Sequence, residues 1–367
     1  MDSQKRIKVM QQVFAPQSKG GVSSEFRALE QSQLSERYQF VPLILAEGHK
    51  GVNLHDILFY YRGIKNEKPD IIQIRGAGVD GLNAEIAAKL VGNVKILLCV
   101  HGMYSDFVFY NPIKKWIARH IIEPLCFRLA DGISCVYKRC ETRVNFHKFK
   151  NKMVPFVYNR MPNNLQNLNI NERESLRNQL GIKYDAVVGI FCGRVSKEKG
   201  LDYLVKALVS IKDQIIDEDM HFLIVGEGGF LDDFKVAIEV YSELVSYVHF
   251  LGLKDDVAPL LSASDYFILP SLHENHSIAL LEAMALALPA IATDVGGNRE
   301  TLNYGEFGIL VPPYDDQALA QAILKINEND FRNALKKRIK LYSFYEFSNE
   351  AVDAQLDAAY TKIINQN

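Results

Sequence analysis

Two carboxylates eight residues apart, Glu274 and Glu282, lie in the segment SLHENHSIALLEAMALALPAIATD at 271–294. Glu274 falls in a loop after the apolar run at 266–270. Glu282 falls one to two turns into the helix that should follow, with Ser277 as its N-cap. The first amides of such a helix lack intrahelical partners and carry partial positive charge, so an anion is favoured at Ile278 and Ala279. A carboxylate on either side of that anion can hold hydroxyl groups. A sugar joined through a diphosphate to a ribose has that layout. Two glutamates at this spacing are ordinarily solvated charges on a helix surface. Here the pair follows one apolar strand, runs through Leu288-Pro289 into another, and is trailed by Gly296-Gly297 and Glu300.

A second group is cationic. Gly193-Arg194-Val195-Ser196-Lys197-Glu198-Lys199-Gly200 follows the apolar run 186–192 and opens a helix. Arginine forks onto two phosphate oxygens and lysine supplies a point charge. Arg194 and Lys199 at a strand's carboxyl end would neutralise a departing diphosphate without a metal. Lys19-Gly20-Gly21-Val22 follows the first strand, where Gly20 and Gly21 allow close backbone approach to a phosphate or sugar. His101-Gly102 ends another strand.

Two tempting motifs fail. Gly226-Glu227-Gly228-Gly229 follows a strand, but Leu231 stands where a dinucleotide-binding G-x-G-x-x-G needs its last glycine. His273-Glu274-Asn275-His276 places its second histidine one residue too early for H-E-x-x-H, so no metal site is expected there.

The elements that must position these residues alternate along the whole chain. Short β-branched runs at 7–14, 40–46, 71–75, 94–100, 132–136 and 154–158 are separated by helical patterns such as 25–33, 82–90 and 112–129. An Asn-rich polar stretch, 159–172, reads as a linker. Alternation restarts at 186–192, 221–225, 248–251, 266–269, 289–293 and 308–311. Continuous apolar strands between helices predict parallel sheets covered on both faces, here two doubly wound α/β domains in tandem. Ligands of such sheets lie outside the carboxyl ends of the strands.

Composition narrows the partners. The 367 residues suffice for two domains, and a net charge of −2 gives no global field to recruit nucleic acid. Five cysteines without a C-x-x-C read as buried free thiols in a reducing compartment. The start, MDSQKRIKVM, lacks an apolar signal core, and no run of ~18 apolar residues predicts a membrane span. A cytoplasmic location is expected, or a peripheral one on the cytoplasmic face of an inner membrane. Residues 111–152 hold ten Lys and Arg against three acids, and Trp116, the chain's single tryptophan, lies beside Lys114 and Lys115. An aromatic flanked by cations suits an anionic bilayer surface, whereas a core-filling Trp on an ordinary amphipathic helix would not.

The order Gly-Gly loop, His-Gly, GR…KG, VGEG and E-x7-E resembles the retaining glycosyltransferases of family four, and the match spans most of the chain. The resemblance implies the GT-B fold: two Rossmann-like domains facing a central cleft, with the final helix crossing back to the first. It would divide the chain into an acceptor-binding domain at 1–165 with the helix 348–367, and a nucleotide-sugar-binding domain at 166–347. It implies transfer of a sugar from a UDP- or GDP-sugar to a glycan or lipid-linked acceptor in surface polysaccharide synthesis, with no cofactor or metal. In that family Arg194 and Lys199 would bind phosphate, Glu282 the ribose, and Glu274 and His101 the transferred sugar. Gly20, Gly21, Gly193, Gly226, Leu253, Asn275, Ile278 and Ala279 would surround the donor. The chain departs from the family pattern at Asn275 and His276, where glycine and an apolar or small residue are commoner. Asparagine tolerates unusual backbone angles there. The competing readings are an oxidoreductase, disfavoured by the failed fingerprint; a sugar-nucleotide epimerase of similar fold, disfavoured by GR…KG with E-x7-E; and a non-catalytic subunit, which would have lost Arg194, Lys199, Glu274 and Glu282.

Overall fold

The computed structural model of the chain describes residues 6–13, 21–44, 51–106, 109–162 and 165–366. It contains two parallel sheets, each in its own compact unit: Met1–Arg160 with Tyr345–Asn367, and Met161–Phe344.

The first sheet has the order β2-β1-β3-β4-β5, with β1 Ile7–Val13, β2 Tyr38–Ile44, β3 Ile71–Arg75, β4 Lys95–Val100 and β5 Gly132–Cys135. One face is an apolar core in which Met10, Ile72, Ile74, Ile96 and Leu98 pack with residues of the helices Leu54–Glu67 and Val79–Val91. The alternate residues Gln11 and Gln73 point the other way and are buried side by side in register. They are satisfied by the last helix, Asn349–Ile364, which the chain supplies after the whole second unit. Gln11 Nε2 donates to Gln73 Oε1 at 2.9 Å and to the Tyr360 hydroxyl at 3.0 Å, and that hydroxyl donates to Gln73 Oε1. Buried polar groups need such partners, so these bonds fix where the helix sits on the sheet. Asp357 adds contacts to Arg37 and the Tyr38 hydroxyl, and Arg160 joins Glu25 to Asp353.

Two sequence expectations, 154–158 and 159–172, change here, and a third is refined. The run 154–158 is not a strand. Val154 and Val157 donate to Ile133 and Cys135 three residues apart, and Pro155 between them has no N–H to continue a ladder. The segment 112–129 is helical throughout but widens to a π-turn at Ala118–Ile122, just before Pro124 removes a donor. The polar stretch 159–172 also ends early: Asn169 and Glu172 form a capping box that opens the helix Ile170–Gln179.

The second sheet has the order β11-β10-β9-β6-β7-β8, with β6 Val187–Cys192, β7 Met220–Val225, β8 Val248–Gly252, β9 Tyr266–Leu269, β10 Ala290–Thr293 and β11 Gly308–Val311. Along β7, Phe222 and Ile224 enter one core while Leu223 and Val225 enter the other, and β9 alternates likewise. Burial on both faces is why these strands read as unbroken apolar runs. All pairings are parallel, so the loops after β6, β7, β8 and β9 leave from one edge. The five cysteines are buried and unpaired.

Candidate active site

The carboxyl edge of the second sheet gathers most of the residues singled out by sequence. The loop after β6 is locked to its neighbours by backbone bonds: Gly193 N–H to Val225 O at 3.0 Å, Val195 N–H to Glu227 O at 2.9 Å, and Gly226 N–H to Gly252 O at 2.8 Å. Gly226 has room for no side chain, since a Cβ would lie 1.9 Å from Gly193 O. The two glycines expected near a donor therefore pack on each other's backbone. At the far end of the loop Gly200 has φ +66°, and a Cβ there would lie 1.9 Å from Pro270 O. Leu272 N–H donates to Glu198 O at 2.9 Å. These contacts draw the cationic loop against the loop that carries Glu274.

Lys199 Nζ reaches Glu274 Oε1 at 2.5 Å, so cation and carboxylate from distant segments meet directly. Ser271 Oγ donates to the same oxygen at 2.8 Å. Glu274 is nearly buried rather than open at a mouth, yet its Oε2 has no protein partner among the described residues. The loop beneath is held by Thr293, whose Oγ1 donates to Ser271 O at 2.5 Å, and by Gly297 N–H donating to Asn275 O at 2.6 Å. Ser271 and Thr293 were not legible as site residues. A serine three residues before Glu274 is their one sequence signal.

Arg194 is exposed and has no side-chain partner among the described residues. A guanidinium left unpaired at a sheet's ligand edge is available to an anion. Ser277 caps the helix Ile278–Ala285, accepting from Leu280 N–H at 3.3 Å. The Ile278 and Ala279 N–H groups have no protein partners among the described residues. Glu282, in the second turn, is partly buried, and burial followed by the nearby charge of Asp256 pushes its carboxyl up to about 7. Burial, and after it the charge of Glu282, raises the Cys192 thiol, so Glu282 is near the end of β6, two residues from Arg194.

Other expected positions are less engaged. Leu253 is 69% exposed on the loop after β8. Asn275 keeps an ordinary backbone and donates to His273 Nε2 at 3.3 Å; the left-handed turn nearby falls to Gly296, φ +53°, so asparagine's tolerance is not used. His276 is buried, and burial lowers its ring to about 3, so it stays neutral. Among the described residues no group of three or more His, Cys, Asp or Glu is arranged to hold a metal ion.

In the first unit His101 follows β4, and Arg75 Nη1 lies 3.4 Å from its Nε2. Arginine can only donate, so Nε2 accepts and the ring proton sits on Nδ1. Arg75 is in turn held by Gln11 Oε1 at 2.9 Å. Sequence reasoning missed Arg75, which reads simply as a strand's last residue. Gly20 lies outside the described residues; Gly21 opens the helix Gly21–Glu30.

Residues 186–329 match the family described as glycosyl transferases group 1. The chain is similar to an Escherichia coli UDP-Gal:alpha-D-GlcNAc-diphosphoundecaprenol alpha-1,3-galactosyltransferase, 26% identical over 318 residues, covering 83% of this chain and 79% of that protein. It is similar to a Bacillus anthracis N-acetyl-alpha-D-glucosaminyl L-malate synthase, 25% identical over 83% of this chain and 77% of the relative. Among solved structures, sucrose-phosphate synthase from Thermosynechococcus elongatus superposes with a TM-score of 0.79 at 19% identity, over 99% of this chain and 100% of that one. Anabaena HepE in complex with UDP and glucose gives 0.76 at 17% identity, over 97% and 100%. Fold and relatives agree: the chain is built on the GT-B fold, and both its second unit and its relatives are of the glycosyltransferase type.

Proposed function

We propose that the protein transfers a sugar, with retention of anomeric configuration and without a metal, from a UDP- or GDP-sugar to a lipid-linked glycan acceptor in surface polysaccharide assembly. The observation that carries this reading is the Lys199–Glu274 contact at the carboxyl edge of the second sheet, with Arg194 unpaired on the same loop as Lys199. Arg194, Lys199 and the amides of Ile278 and Ala279 would stabilise charge growing on the departing diphosphate. Glu282 would hold the ribose hydroxyls. Glu274, pinned by Lys199 and Ser271 through one oxygen, would offer the other to hydroxyls of the transferred sugar. The bond from the anomeric carbon to the phosphate oxygen breaks as the bond to the acceptor oxygen forms. The acceptor's proton passes to an oxygen of the leaving diphosphate on the same face. The lipid-linked acceptor is supported by the E. coli relative, whose name specifies a diphosphoundecaprenol acceptor.

The test is thermal-shift binding of UDP, GDP and their sugars, then product stereochemistry by NMR with EDTA present. Arg194→Ala and Glu282→Ala should weaken nucleotide binding, and Glu274→Ala should chiefly lower turnover. Unchanged binding and transfer in all three would refute the assignment. An inverted product, or activity abolished by EDTA and restored by a divalent ion, would refute retention or metal independence.

A further inference from the structure

A second constellation lies in the first unit. Along the helical segment 112–129 the side chains Ile113, Trp116, Ile117, Ile121 and Leu125 are 39–68% exposed. They recur every three or four residues, so they form one apolar stripe, and Trp116 is on the surface rather than in the core. Isolated exposed apolar residues are ordinary, but a continuous stripe of this size on one helix marks a contact surface. Beside it is a cavity of about 640 Å³ lined by Arg119, His120, Pro124, Arg143, Asn145 and Lys148, among others. Cavity and stripe are continuous: the His120 ring, on the cavity wall, lies 5.2 Å from the Trp116 ring.

The cavity's charge is one-sided. Its single acid, Asp106, is already paired with Arg143. The buried Glu123 behind it accepts from Ser105 and Asn145 and offers the cavity no free oxygen. Arg119 and Lys148 are exposed and have no side-chain partners among the described residues. A ligand that satisfies both parts needs a compact anion joined to a long apolar chain. Lys114 and Lys115 on the same helical segment favour an anionic surface beneath it.

We propose that this cavity binds the phosphate end of a polyprenyl-linked acceptor while the Ile113–Leu125 stripe lies against its lipid chain. The proposal rests on the reading of the chain as a transferase acting on a lipid-linked acceptor, and gives that acceptor a place. Arg119 and Lys148 grip the phosphate; Trp116 and the aliphatic side chains enter the bilayer interface.

The experiment is co-sedimentation of the full chain with neutral phosphatidylcholine vesicles carrying a polyprenyl phosphate, the matching polyprenol, or phosphatidylglycerol at equal charge. The expected result is at least about tenfold tighter binding to the polyprenyl phosphate than to either control. Arg119→Ala with Lys148→Ala should erase that preference but keep the weaker binding to polyprenol vesicles, a pattern that unfolding does not produce. Ile117→Asp should lower binding to all three. Equal binding to phosphatidylglycerol, or a preference that survives the double substitution, would overturn the proposal. Nucleotide-induced thermal stabilisation of the same preparations separates the two readings. If it is present, with UDP or with GDP, while the lipid preference is absent, only this inference fails; if neither nucleotide stabilises the protein, the transferase reading beneath it fails too.

Discussion

Glu282 makes donor binding depend on pH in a way that can be calculated. Its carboxyl is pushed up to about 7 in the free protein, chiefly by burial and then by Asp256. Ribose hydroxyls donate best to the ionised form, so binding favours that form and releases a proton from the fraction still protonated. If only the ionised form binds, the apparent Kd is multiplied by one plus the ratio of protonated to ionised carboxyl. That factor is about 11 at pH 6, about 2 at pH 7 and about 1.1 at pH 8, roughly tenfold across the range or about 1.4 kcal/mol. Affinity therefore rises with pH. Glu282→Gln cannot ionise and should lose this dependence, whatever its overall affinity. The assay is isothermal titration with UDP at pH 6, 7 and 8, in two buffers of different ionisation enthalpy so that released protons are counted. About half a proton should appear at pH 7 in the wild type beyond that seen with the variant. The nucleotide's own phosphate titrates in both proteins, so the comparison between them is the readout. A wild-type slope identical to that of Glu282→Gln would refute the argument.

Three further outcomes follow from other parts of the molecule. Glu85, on the helix Val79–Val91, is fully buried with neither oxygen hydrogen-bonded among the described residues, and burial holds its carboxyl well above the usual value. The native state therefore keeps a proton that the unfolded chain gives up, so this group's stability contribution is full below pH 4.5 and falls as pH rises, by up to about 1.4 kcal/mol per unit until the folded group itself ionises. Denaturant unfolding between pH 5 and 7.5 should show that slope diminished in Glu85→Gln; an unchanged slope would count against it. Gly200→Ala must relieve both a left-handed φ and a 1.9 Å approach to Pro270 O; a loss of about 3 kcal/mol or more is expected, and a melting temperature within a degree of wild type would contradict it. Tyr360→Phe leaves Gln11 and Gln73 short of a partner in a dry site, which should cost about 1–3 kcal/mol in urea unfolding.

The fold was legible because both sheets are parallel and buried on both faces, so β4 and β6 to β11 appear as bare apolar runs bounded by turns. The run 154–158 misled because its β-branched residues satisfy composition while Pro155 breaks the ladder, and hydrogen-bond donors do not show in a hydropathy pattern. The linker was overextended because Asn169 and Glu172 are polar whether they form a loop or a capping box. At the candidate site, charged residues on glycine-flanked loops were visible from spacing. The contact of Lys199 with Glu274 was not, because it depends on Gly200 seating against Pro270, a backbone approach between segments about seventy residues apart. Ser271, Thr293 and Arg75 act through other residues, and one sequence holds no sign of that.

The closing helix has a consequence for how the protein is made. Gln11 and Gln73 wait for a hydroxyl that lies 349 and 287 residues further along the chain. During synthesis the first sheet emerges early but keeps two uncapped amides in its interior until Tyr360 is made. The second unit, whose strands and helices are contiguous in sequence, can finish before the first. A ribosome that stalls between Phe344 and Tyr360 would thus hold a chain whose second unit is complete and whose first is not, and it is that first unit that quality control would meet.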